Sequence, residues 1–133
     1  MSDLRQQQPH WKALTDIRQF DKILKDSKAK PALILKYHPG SRESQIAKHN
    51  LDTNWAIPAK DLDLYVVDVN SYRNVSDVVT EVAGVDNNLP QVLLFADGVT
   101  MYDESNELIN FKKIKIALKI INRTFKWMET RVE

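Results

Sequence analysis

The residues best placed for chemistry stand together in Lys36-Tyr37-His38-Pro39-Gly40-Ser41-Arg42-Glu43-Ser44. A serine three residues after a histidine could serve as a nucleophile if the imidazole took its proton. That arrangement needs an acidic group to orient the histidine, and none is identifiable from spacing. The simpler role for Ser41 is to cap a following helix, worth about 1 kcal/mol. His38 is then a loop residue. His10 and His49 have neither a carboxylate nor another histidine at clear metal-ligand spacing, so no metal and no cofactor is expected. The chain contains no cysteine, which removes disulfides, thiolate metal ligands and sulfur nucleophiles together.

Composition narrows the function further. With 19 basic against 18 acidic side chains the net charge is +1, so there is no global field to draw in nucleic acid. Apolar runs such as Val92-Leu93-Leu94-Phe95-Ala96 are far short of the roughly 20 residues of a membrane span. Nothing at the N-terminus reads as a secretory signal, and a cytoplasmic location is expected. At 133 residues the chain is the size of one domain. Residues 1–11 are polar and Gln-rich and read as a tail, which leaves 12–133 as the domain.

The elements that must position Ser41 follow from periodicity. Thr15 or Asp16 can cap a helix in which Ile17, Phe20, Ile23 and Leu24 recur at helical spacing and which ends near Ser27. Ala32-Leu33-Ile34-Leu35-Lys36-Tyr37 is a short apolar run between breakers and predicts a buried strand. A second helix runs from Ser41 or Ser44 to about Trp55, before Pro58. Residues 63–69 form a second strand. Behind Ser71 and Asn74, the spacing of Val75, Val78, Val79 and Val82 predicts a third helix, ended by Gly84. Gln91-Val92-Leu93-Leu94-Phe95-Ala96 and Val99-Thr100-Met101-Tyr102-Asp103, joined by Asp97-Gly98, predict a hairpin. A last helix runs from about Asn110 to Met128, and a short strand around Trp11 to Leu14 is a further option. Alternating strands and helices, then a hairpin and a helix, argue for an α/β fold with a mixed central sheet flanked by helices.

That order, with a proline just before the first hairpin strand and a loop-to-helix junction after the first central strand, resembles thioredoxin. More closely, the chain resembles the monothiol bacilliredoxin family, thioredoxin-like bacterial proteins linked to bacillithiol. The resemblance covers about Leu14 to Ile121. It rests on Asp68-Val69-Asn70-Ser71-Tyr72-Arg73-Asn74-Val75-Ser76 and Pro90-Gln91-Val92-Leu93-Leu94, with Gly98 and Ser105 fitting as well. The departures fall where the family's chemistry sits. Ser41 stands at the position of the cysteine in the family's Lys-His-Ser, two variable residues, Cys-Pro-Ile-Ser pattern, Asn106 replaces a histidine, and Leu89 replaces the serine before the proline.

The resemblance implies a thioredoxin-like fold and a cis bond before Pro90. It implies a groove lined by Tyr37, His38, Ser41, Arg42, Leu89 and Pro90, in which the backbone of Leu89 pairs with an extended peptide. A serine hydroxyl stays un-ionised where a thiolate would form, and it makes no disulfide. The expectation is a redox-inactive binding or scaffold protein with no catalytic residue. Two alternatives remain: a transferase-like enzyme in which Ser41 contacts a low-molecular-weight thiol, and a bacilliredoxin whose cysteine has been replaced.

Spacing on the last helix suggests a second surface. Phe111, Ile114, Leu118, Ile121, Phe125 and Met128 share the core face, whereas Ile116, Ile120 and Trp127 fall nearly opposite. Between them run Lys112, Lys115, Lys119, Arg123 and Lys126. Such a stripe could be covered by the N-terminal tail, or could bind a foreign protein or a second copy of the chain as a homodimer.

Overall fold

The computed structural model describes residues 9–132, with side chains as far as Phe125. Residues 1–8 of the expected tail, and the side chains of Lys126, Trp127 and Met128, lie outside the described residues. Five strands form one sheet in the order β1 (Lys12–Ala13), β3 (Asp63–Asp68), β2 (Ala32–Tyr37), β4 (Gln91–Ala96), β5 (Val99–Ser105). β1 and β2 run parallel to β3, while β4 is antiparallel to β2 and to β5. The sheet is mixed, as the sequence order predicts.

Four helices cover its two faces. α1 (Ile17–Asp26) and α3 (Arg73–Ala83) pack on one side, where Phe20, Ile23, Val75 and Val79 meet Ile34, Leu93 and Phe95. α2 (Arg42–Asn54) and α4 (Phe111–Val132) pack on the other, where Leu51, Ile114 and Leu118 meet Leu33, Leu35 and Leu94. β2 and β4 are therefore covered on both faces, which is why their sequences read as continuous apolar runs instead of alternating. Among the described residues no helix is long and apolar enough to cross a membrane.

The local signals act as their chemistry requires. Asp16 caps α1 through a hydrogen bond from the Arg18 N–H, and Gly84 ends α3 in the left-handed conformation at φ 70°. Asp97 and Gly98 both have positive φ, 54° and 77°, the backbone that a two-residue hairpin turn needs. The α4 core face holds: Ile114, Leu118 and Ile121 are buried, with Phe111 and Phe125 packed against them. Trp11, at the end of the expected tail, donates its indole N–H to Asp52 Oδ1 at 2.7 Å and stacks 5.9 Å from Trp55, so the chain is tied to α2 by that point.

One expectation needs correction. Val82 lies at helical spacing from Val75 but is 50% exposed, because the buried strip of α3 is Val75, Ser76 and Val79, with Val78 partly buried beside them. Tyr72 holds the α3 cap position without a side-chain bond, and Ser71 is engaged ahead of it. The physical reason is Asp68, whose Oδ1 accepts the N–H groups of Asn70 and Ser71 at 3.0 and 3.1 Å and whose Oδ2 takes the Ser71 hydroxyl. The turn is organised from the strand end, which leaves Ser71 committed before the helix begins.

One polar side chain locks the hairpin to α1. Ser27 is 1% exposed; its hydroxyl donates to Leu24 O at 2.6 Å and accepts the Gly98 N–H at 2.8 Å, and its carbonyl accepts the Asp97 N–H at 2.9 Å. Ser27→Ala should cost about 1–3 kcal/mol in urea denaturation, because the half-buried Gly98 N–H would lose its acceptor and the buried Ser27 site its hydroxyl. A loss below about 0.5 kcal/mol would show that water replaces the hydroxyl freely.

Candidate functional site

The Ser41 junction is built by the sequence around it. Pro39 and Gly40 turn the chain out of β2, and Ser41 adopts extended backbone at φ −94°, ψ 130° as the N-cap of α2. Its Oγ accepts the Ser44 N–H at 3.3 Å and donates to Glu43 Oε2 at 3.1 Å. Ser44, fully buried, uses its own hydroxyl to accept the His38 N–H at 3.1 Å. His38 Nδ1 accepts the Gly40 N–H at 3.0 Å, so in the neutral ring the proton sits on Nε2. The imidazole is thus engaged with the loop backbone. No contact between it and the Ser41 hydroxyl is present, and the hydroxyl proton points to Glu43, so the pair is not arranged for nucleophilic catalysis.

The bond between Leu89 and Pro90 is cis. Leu89 precedes β4, and neither its N–H nor its C=O has a hydrogen-bond partner among the described residues. Next to it lies a cavity of about 340 Å³ whose walls include His38, Asn70, Arg73, Asp77, Asn87 and Leu89. His38 and Leu89 therefore meet across one depression. The other expected groove residues are placed differently. Tyr37 alternates onto the opposite face of β2 and packs with the α2/α4 layer, Arg42 is exposed in the first turn of α2, and Pro90 is buried. Ile116 and Ile120 are 58% and 59% exposed on α4, and Trp127 falls among the undescribed side chains. His10 and His49 are exposed.

Sequence reasoning missed Lys36. Its side chain is fully buried at the end of β2, on the same face as Ile34, and its ammonium donates to Thr80 Oγ1 of α3 and to Asn87 Oδ1, the latter at 2.7 Å. Burial lowers its pKa from 10.5 to about 8, with the nearby charge of Asp77 acting in the opposite direction. Gln91 lies opposite Lys36 in the β2/β4 register and is also buried; its Nε2 donates to the Asp86 carbonyl at 2.7 Å. Two buried polar side chains from neighbouring strands thus hold the 85–89 segment that carries Leu89. The available signal was a lysine inside an apolar run, since lysine is almost never fully buried without a partner.

The cap geometry makes a test of the junction. In Ser41→Cys, the α2 N-terminus favours a thiolate, while the Glu43 carboxylate opposes it. Glu43→Gln added to Ser41→Cys should therefore lower the thiol pKa by about half a unit to one unit relative to Ser41→Cys alone, measured by the pH dependence of alkylation. Equal values in the two variants would contradict the placement of Glu43 beside this atom.

Comparison with known proteins agrees with this geometry. Among solved structures, a protein with a thioredoxin fold superimposes with a TM-score of 0.69 at 23% identity, covering 79% of this chain and 90% of the other. The thioredoxin of Malassezia sympodialis gives 0.64 at 15% identity over 83% and 89%, and that of Fasciola hepatica 0.62 at 13% over 81% and 96%. These likenesses show the thioredoxin fold. Comparison with curated sequences returns no significant match. The family model for monothiol bacilliredoxin BrxC matches residues 12–114, from β1 into the first turns of α4. With both central strands, the Ser41 junction and the Pro90 segment inside that match, the chain belongs to the monothiol bacilliredoxin family, and it does so without a cysteine.

Proposed function

We propose that this bacilliredoxin-family chain is a redox-inactive binding module that takes an extended peptide along the free backbone of Leu89. The carrying observation is the unpartnered N–H and C=O of Leu89 at the mouth of a cavity it shares with His38. A half-buried residue with both backbone groups free can offer a peptide the strand-like hydrogen bonds that peptide-binding sheet edges use. A thiol nucleophile is not required for that recognition. Thiol–disulfide exchange is a different matter: attack on a disulfide sulfur needs a thiolate, and the chain has no cysteine to supply one.

The transferase-like reading, with Ser41 donating to the sulfur of a small thiol, is less well supported. The Ser41 proton is given to Glu43 Oε2, and a carboxylate 3.1 Å from that oxygen would repel a thiolate brought to it. A replaced cysteine alone is also a poor account, because the glutamate at position 43 and the leucine at position 89 differ from the family pattern together with Ser41.

Two measurements on the same preparation test the proposal. Reduction of a mixed-disulfide substrate should not exceed a protein-free control. In a heteronuclear NMR titration with a pool of extended peptides, amide shifts should concentrate at His38, Leu89 and Gln91. Turnover above the control would overturn the redox-inactive part, and an unperturbed Leu89 at saturating peptide would overturn the groove.

A further inference from the structure

Several side chains that line the cavity beside Leu89 carry hydrogen-bond donors. Asn87 offers its Oδ1 to the Lys36 ammonium, so the oxygen end of its amide is committed and its NH₂ is left for other partners. His38 has its Nδ1 occupied by the Gly40 N–H, which leaves Nε2–H as the other function of the neutral ring. Arg73 lines the cavity, has no ion-pair partner among the described residues, and carries five donors. Of the charged side chains that line the cavity, Arg73 is cationic and Asp77 anionic, and the buried Lys36 ammonium lies behind Asn87. Lys36 is fully buried, and a cation in that setting exerts its field with little screening.

We propose that this cavity is a specificity subsite that receives the carboxylate of an aspartate or glutamate side chain from the peptide lying along Leu89. Arg73 and the Asn87 amide donate to the carboxylate, and Lys36 acts as a positioning residue by holding the Asn87 amide with its nitrogen toward the ligand. Charge-assisted bonds from a guanidinium to a carboxylate are among the stronger hydrogen bonds available to a surface site. A lysine at the same peptide position would face the Arg73 guanidinium and lose the donors offered by Asn87, with Asp77 as its one acidic neighbour in the lining. This inference rests on the peptide-binding reading and assigns its selectivity.

The test is a positional-scanning set of N-acetylated extended hexapeptides in which each position is fixed in turn as Glu, Gln or Lys, with binding to the full chain read by fluorescence anisotropy. At one position Glu should exceed Gln by about tenfold or more, with Lys weakest. In Arg73→Gln the Glu-to-Gln ratio at that position should fall toward one. In Asn87→Asp the bond to Lys36 survives, so the fold is kept, but a carboxylate oxygen replaces the amide nitrogen and the ratio should invert. Peptides that bind without any preference for Glu, or a preference that persists in both variants, would overturn the subsite and leave the groove standing. Binding of no peptide at all would overturn the groove reading and the subsite with it.

Discussion

The burial of the Lys36 ammonium is the constraint on which the functional end of this molecule depends. An unpaired charge in a protein interior costs several kcal/mol, so a strand that carries lysine into the core must bring acceptors to it. Thr80 supplies one from α3 and Asn87 a second from the segment that follows. Satisfying one cation therefore fixes how the last turns of α3 and the 85–89 segment sit over the end of β2. Gln91 repeats the device from β4 through the Asp86 carbonyl. Leu89 is presented between these two anchors, with its own backbone left unsatisfied.

Around that end the thioredoxin framework is intact. β2 and β4 are buried on both faces, the Asp97-Gly98 turn has the backbone its hairpin needs, and Ser27 ties that turn to α1. What has changed is the use of the α2 N-terminus. In a redox relative this position stabilises a thiolate; here the Ser44 N–H is taken by the Ser41 hydroxyl, and Glu43 sits within hydrogen-bond distance of the same oxygen. A carboxylate at that point is tolerable beside a neutral serine and unfavourable beside a thiolate, so the two residues suit a cap better than a nucleophile.

Much of this was legible in the sequence, because it is written in local chemistry. Asp97-Gly98, Gly84, Ser41 and the 3.6-residue spacing on α4 each act within a few residues of themselves, and the family pattern supplied the cis bond before Pro90. The parts that were not legible depend on distant partners. The acceptors of Lys36 lie 44 and 51 residues away, so a lysine in an apolar strand gave no hint of what would satisfy it. Val82 keeps helical spacing but falls beyond the strip of α3 that the sheet covers. Tyr37 is next to His38 in sequence, yet strand alternation sends it to the opposite layer. The groove that the resemblance implies joins the residues around Ser41 to Leu89 and Pro90, whereas the cavity beside Leu89 draws on Asn70 after β3, on α3 and on Asn87.

The most direct measurement is amide hydrogen exchange in the full chain and in Lys36→Met, which keeps the buried stem and removes the ammonium. If Lys36 anchors the segment that presents Leu89, exchange should accelerate across residues 84–90 while the α2 and α4 layer keeps its protection. Unchanged exchange at 84–90 in a folded Lys36→Met chain would contradict the account, since the presentation of Leu89 would then not depend on the buried amine.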